Sequence, residues 1–362
     1  MSFRHTVPFL DTAKHLNLFG LTVIQSLFLV ALSAPSEDVL FYPPNDPYFE
    51  HQRVLFEALH INETWMAVRE SGLDRRDVIV TVIDTGVKEM PDLEGKLLKG
   101  LDVSGAPEPS VEDLHGHGTA MAAIIAAGIN NDIDGTGIAD KVKIRPIRIM
   151  ASSPFAGLPH LKKGWKKAMT YKDSDIILLA FVWSYTNDDS LLFKALLEKA
   201  VKKGKFVVIG ASNPNHQDGY GAVAIPCSLA NSMPGVVCVT ATFTSNPHLL
   251  LSNSSLLASF GLPGTDVLIP TLEQEGDERK YKTAKGSSLA AAIVAGVAAL
   301  MQSFGKFEPD EMKTMLLEAT KDIKTKINQG TEIFRENMEK RQKPEESVLR
   351  EAKHRRCCIY RA

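Results

Sequence analysis

Short runs rich in Val and Ile recur along the chain and alternate with longer segments of helical period. The runs are DVIVTVID at 77–84, KVKIRPIRIM at 141–150, SDIILLAFVW at 174–183, KFVVIGAS at 205–212 and GVVCVTA at 235–241. The segments between and after them, at 118–128, 159–171, 190–203 and 288–304, space their apolar residues as helices do. A strand that is apolar on both faces must be covered on both faces. Together with intervening helices, this predicts an α/β fold with a doubly wound, mainly parallel sheet and helices on both faces. In such sheets ligands gather at the carboxyl ends of the strands, so reactive residues are expected just after strands and at helix starts.

Composition narrows the function. The 362 residues are 44% hydrophobic and 23% charged with a net charge of −2, enough to bury a sizeable core and without the basic excess that nucleic acid binding requires. Nucleic acid is therefore not an expected partner. Cysteine is sparse. Cys227 and Cys238 either form one bridge or stay as two buried thiols, and Cys357 and Cys358 lie in the tail; no Cys and His spacing reads as a zinc site.

The ends of the chain differ from the middle. Arg4 and Lys14 precede a charge-free apolar run at 16–33 that ends in small residues, so 1–33 is read as a secretory signal. An uncleaved signal anchor is the alternative, because the run approaches bilayer length, and only in that case would a membrane be a partner. The sequons at Asn62 and Asn253 are compatible with a secretory route. Residues 34–44 form a short linker, 45–325 the globular domain, and 326–362 a charged tail rich in Lys and Arg.

Polar residues stand where the fold predicts reactive ones. Asp84 ends a very apolar strand, where its carboxylate needs hydrogen-bond partners. His117, in DLHGHGTAMAAIIAAG, opens a helix of small residues, and Ser288 opens another in GSSLAAAIVAGVAAL. Alone, each has a bland explanation: a turn residue, a structural histidine, an N-cap serine. Together, in the order Asp, His, Ser and each within two residues of a glycine, they form the set needed for a nucleophile, its base and the group that orients the base.

These motifs, VIDTGVKEMPDL, HGHGTAMA, VVIGASN and GSSLAAAIVAGVAAL, resemble those of the subtilisin-like serine proteases (subtilase, peptidase S8 family), with supporting likeness over about 45–320. The resemblance implies a secreted serine endopeptidase acting on protein or peptide substrates, with Ser288 as nucleophile, His117 as general base and Asp84 as its orienter. It implies Asn213 as the side-chain oxyanion donor beside the Ser288 backbone N–H. Ala180, Phe181, Val182 and Trp183 fall in the substrate-binding strand, where the family usually carries Ser-Leu-Gly-Gly. Val182 and Trp183 put bulk where glycines leave room, and either they narrow the pocket or Trp183 packs in the core.

No cofactor is required for this chemistry. Asp92 and Asn131, in MPDL and GINNDIDGTGIA, resemble positions that hold structural calcium in relatives. The stretch from 34 to 44 is too short for the prodomain usual in the family, and the closing strand pattern is missing after Thr320. These departures, with the altered strand, leave a non-catalytic member that binds peptides or partners as the alternative function.

Overall fold

The computed structural model describes residues 39–150, 157–181, 183–184, 187–211, 224–251, 258–275 and 278–320. Helices α1 (Phe49–Ala58) and α2 (Ile61–Glu70) precede the sheet. The chain then runs through β1 (Val78–Asp84), a 3₁₀ turn at Pro91–Leu93, β2 (Leu101–Asp102), α3 (His117–Ala126), β3 (Val142–Arg148), α4 (Leu158–Ala168) and β4 (Ile176–Leu179). Next come β5 (Trp183–Ser184), α5 (Asn187–Lys202), β6 (Phe206–Gly210), β7 (Ala224–Ile225), α6 (Cys227–Ala230) and β8 (Val236–Phe243). The last elements are β9 (Asn246–Leu250), β10 (Phe260–Pro263), the strands β11 (Val267–Glu275) and β12 (Glu278–Ala284), α7 (Ser287–Ser303) and α8 (Pro309–Thr320).

The main sheet has the order β10-β8-β6-β4-β1-β3-β2, all parallel, with β9 antiparallel on β8. The doubly wound expectation holds. The chain lays β3 on one side of β1 and then crosses to lay β4 on the other, so the strand order reverses at β1, and a crevice is expected at its carboxyl end. That end is Asp84.

The two helices carrying His117 and Ser288 lie together. α7 packs on β1, β4, β6 and β8 and against α3, which itself packs on β1 and β3. Both are built from small residues: Ala120, Ala122 and Ala126 in α3 and Ala290, Ala291, Ala292, Ala295 and Ala298 in α7 are all buried. Without bulky side chains between them, the two axes approach closely, and a helix apolar all round must sit inside the protein. On the other face, α4 and α5 are joined by the Trp165 indole, which donates to the Leu196 carbonyl at 3.1 Å.

The run at 174–183 is not one strand. β4 stops at Leu179, because its pairing with β6 ends at Leu179↔Ile209, and Trp183 belongs instead to β5, which pairs antiparallel with β7 through Trp183↔Ile225. Cys227 and Cys238 are bonded, tying α6 to β8 across a sequence separation of 11. No helix among the described residues is long and apolar enough to cross a membrane; the run at 16–33 and the tail lie outside them.

Candidate active site

β1 delivers Asp84 to the reversal point almost completely buried, at 1% exposure. Its Oδ1 accepts the Thr85 backbone N–H at 2.7 Å, which answers part of the cost of placing a carboxylate there. The remaining partner is His117. Its Nδ1 lies 2.8 Å from Asp84 Oδ1 and 3.0 Å from Oδ2. An ionised carboxylate only accepts, so the arrangement assigns the proton to Nδ1 and leaves Nε2 as the basic nitrogen. Burial works against the imidazolium, but the Asp84 charge and hydrogen bond, with a further push from Asp113, raise His117 above its ordinary value.

Close approach of two backbones makes this pair. The Gly118 N–H donates to Thr85 Oγ1 at 2.8 Å, and a Cβ at Gly118 would fall 2.1 Å from the Gly86 carbonyl oxygen. Any side chain there would push α3 off the end of β1. Thr119 adds a second stitch, its hydroxyl accepting the Lys88 N–H at 3.0 Å.

Ser288 is the second residue of α7, after the N-cap Gly286 and Ser287, so it is not the cap its position suggested. Gly286 has φ 152° and ψ 162°, outside the range comfortable for a residue with a side chain. The two serines differ. Ser287 is buried and its hydroxyl donates to the Ala211 carbonyl, whereas Ser288 is half-exposed. A Cβ at Gly210 would lie 3.4 Å from the Ser288 Cα and 3.5 Å from the Ala180 carbonyl carbon, which puts Ser288 at the carboxyl ends of β4 and β6.

Of the other expected site residues, Ala180 is buried and Phe181 packs against the core. Asn213 and Val182 lie outside the described residues, and of Trp183 only the backbone pairing is described. Asp92 is buried beneath the loop that follows α3. Its Oδ1 accepts from the Gly128 N–H and the Asn131 amide, both at 3.0 Å, while Oδ2 is buried without a hydrogen-bond partner. Burial pushes its carboxyl up to about 8, with the Asp134 and Asp46 charges adding and the Asn131 bond opposing. No group of three or more His, Cys, Asp or Glu is arranged for a metal among the described residues.

Sequence reasoning passed over Asp113. It is 1% exposed and collects four hydrogen bonds at the start of α3. Its signal was present as an Asp just upstream of a predicted helix start.

Comparison with known proteins agrees with this architecture. The sequence profile of the subtilase family (Peptidase_S8) matches residues 75–343. The extracellular basic protease of Dichelobacter nodosus is 26% identical over 374 aligned positions, covering 90% of this chain and 60% of that protein. M-protease of Shouchella clausii is 27% identical over 65% of this chain and 57% of its own length. The chain thus spans less than two thirds of either relative. Thermitase of Thermoactinomyces vulgaris is 28% identical over 73% of this chain and 87% of its own.

Among solved structures, a cold adapted subtilisin-like serine proteinase superposes with a TM-score of 0.56 at 21% identity, covering 71% of this chain and 86% of its own. A protease from Pseudoalteromonas arctica does so with 0.60 at 24%, covering 75% and 90%. A profile match over most of the sheet, an Asp–His pair at the strand-order reversal and the shared fold lead to one conclusion: the chain belongs to the subtilase family.

Proposed function

We propose that this chain is a serine endopeptidase in which Ser288 attacks a peptide carbonyl, His117 moves the proton and Asp84 orients the imidazole. The observation that carries this reading is the Asp84–His117 contact of 2.8 Å, with His117 on a helix that packs against the one whose first turn presents a half-exposed serine. With Nδ1–H held by Asp84, Nε2 takes the Ser288 proton as the Oγ–C bond forms. The same nitrogen returns the proton to the leaving amine as the C–N bond breaks, giving the acyl-enzyme. Water then repeats the sequence and releases the acid. The Ser288 backbone N–H, at the positive end of α7, and the Asn213 amide would hold the oxyanion.

Substrates in this reading are proteins or peptides laid along the segment at 180–183. The names of the relatives, among them an extracellular protease, favour a secreted protein. In this reading 1–33 is removed and 45–325 is the catalytic domain. Purified protein treated with a fluorophosphonate tests the activity: labelling that Ser288→Ala abolishes supports it. An unlabelled wild type that still binds extended peptides would favour the non-catalytic reading.

We also propose a structural calcium ion at Asp92. Its buried, unpartnered Oδ2 is a hard oxygen donor of the kind calcium takes, and the loop at 128–135 is rich in further oxygens. Asn131 currently donates its amide nitrogen to Asp92 while its Oδ1 accepts the Ile133 N–H, so it would join as a ligand only after turning the amide. Bound calcium would take the place of the proton that burial favours on this carboxyl and stiffen the loop, with no part in the chemistry.

A further inference from the structure

Asp113 lies just before α3, with both carboxylate oxygens fully used. Oδ1 accepts the backbone N–H groups of His115 at 2.9 Å and Gly116 at 2.8 Å. Oδ2 accepts the Thr119 N–H at 2.9 Å and its hydroxyl at 2.7 Å. One side chain thereby grips the residues on both sides of His117. The Thr119 N–H is one of the free N–H groups in the first turn of α3, and the other two N–H groups fix the approach to it.

The hydroxyl carries the contact further. Having given its proton to Asp113, Thr119 Oγ1 uses a lone pair to accept the Lys88 N–H at 3.0 Å, on the segment that leaves β1 past Asp84. Asp113 therefore orients Thr119 so that it can bind the Asp84 segment. A hydrogen-bonded path runs from Asp113 through Thr119 to Lys88, parallel to the path from Gly118 through Thr85 to Asp84. Both paths fix the same quantity, the position of the start of α3 relative to the end of β1.

From this geometry we propose that Asp113 is a positioning residue for His117: it sets the imidazole against Asp84 by gripping the helix start and Thr119, and it holds a second negative charge beside the ring. The proposal rests on the reading of His117 as the base. At 1% exposure the carboxylate is little screened by water, so its field acts on the imidazolium more strongly than a surface charge would. The direction of the His117 shift agrees, since Asp113 is among the charges that raise it.

The groups facing His117 leave few competitors for this effect. β1 supplies Asp84, and the approach to α3 supplies Asp113 and His115, whose ring centre lies 6.4 Å from that of His117. β11 brings Leu272 against Gly116, and the first turn of α7 has no charged side chain. Lys88, four residues after Asp84, is half-exposed, and Lys285, three residues before Ser288, is exposed. Replacing Asp113 by Asn removes the charge and turns an NH₂ group towards the Thr119 N–H, donor against donor.

The test follows His117 by NMR across pH in the full chain and in Asp113→Asn, together with the pH profile of fluorophosphonate labelling. The imidazole pKa and the acid limb of labelling should both move to lower pH, and the plateau rate should fall at least about tenfold from misplacement of the base. A lower Tm with His117 titrating as in the wild type would reduce Asp113 to an ordinary helix cap and overturn the proposal. Should Asp113→Asn not fold, Thr119→Val should lower the labelling rate and Thr119→Ser restore it; Thr119→Val labelling at the wild-type rate would count against the proposal equally. Absence of labelling in the wild type would refute the triad, whereas the NMR titration would still decide whether Asp113 acts on His117.

Discussion

Ser287 and Ser288 are neighbours in one helical turn and are employed differently: the first gives its hydroxyl proton to the buried Ala211 carbonyl, the second is half-exposed at the carboxyl ends of β4 and β6. Ser288→Ala should therefore abolish fluorophosphonate labelling with little change in Tm. Ser287→Ala should retain labelling but lose roughly 1–3 kcal/mol of stability, because it strands a buried acceptor. Mass spectrometry of the labelled peptide, alongside thermal melts, separates the two.

The acid limb of activity is expected above the ordinary imidazole value of about 6.5. His117 must be neutral to accept a proton, and its folded value is raised, so the protonated, inactive form persists to higher pH. The same shift means that the stability this charge pair supplies is complete below about pH 6.5 and fades as pH climbs through the folded value. Asp84→Asn should lower the acid limb and cut kcat by roughly 10⁴, since an amide no longer enforces the Nδ1–H tautomer. A pH–rate profile of both proteins checks this.

Much of this site could be read from the chain because its parts are local. Asp84 follows an unbroken apolar strand, and His117 and Ser288 open helices of small residues, so each stands beside the pattern that places it. The run at 174–183 misled for a physical reason: a continuous apolar stretch carries no mark of where it leaves its partner, and only the length of β6 shows that β4 ends at Leu179. The β11–β12 hairpin was equally hidden, since TLEQEGDERKYKTA has too much charge to announce strands and depends on pairing such as Val267↔Ala284. Likewise, the bond between Cys227 and Cys238 needed β8 and α6 to be brought side by side.

Calcium should raise the Tm of the wild type and chelation lower it. Asp92→Asn should remove that response, since the variant lacks the buried carboxylate that would hold the ion. Thermal melts with and without calcium, on both proteins, decide the matter. A response unchanged in Asp92→Asn would place the ion elsewhere.

Cleavage should favour small residues before the scissile bond. In the proposed reading Val182 and Trp183 replace glycines of the substrate strand, so a large side chain there would be overpacked at a cost of roughly 1–3 kcal/mol. Val182→Gly with Trp183→Gly should widen the choice towards Phe and Leu in a peptide-library assay. Efficient wild-type cleavage after Phe would refute the narrowing.

The placing of Asp84 near the beginning of the sheet and of Ser288 on a helix close to its end has a consequence for how the protein matures. Because β1 lies centrally and its neighbours join it only through crossovers, the residues proposed to react meet late, after contacts distant in sequence have formed. A chain in which α7 has not yet docked on α3 would thus lack the assembled site, and the appearance of a labelled Ser288 would report that docking.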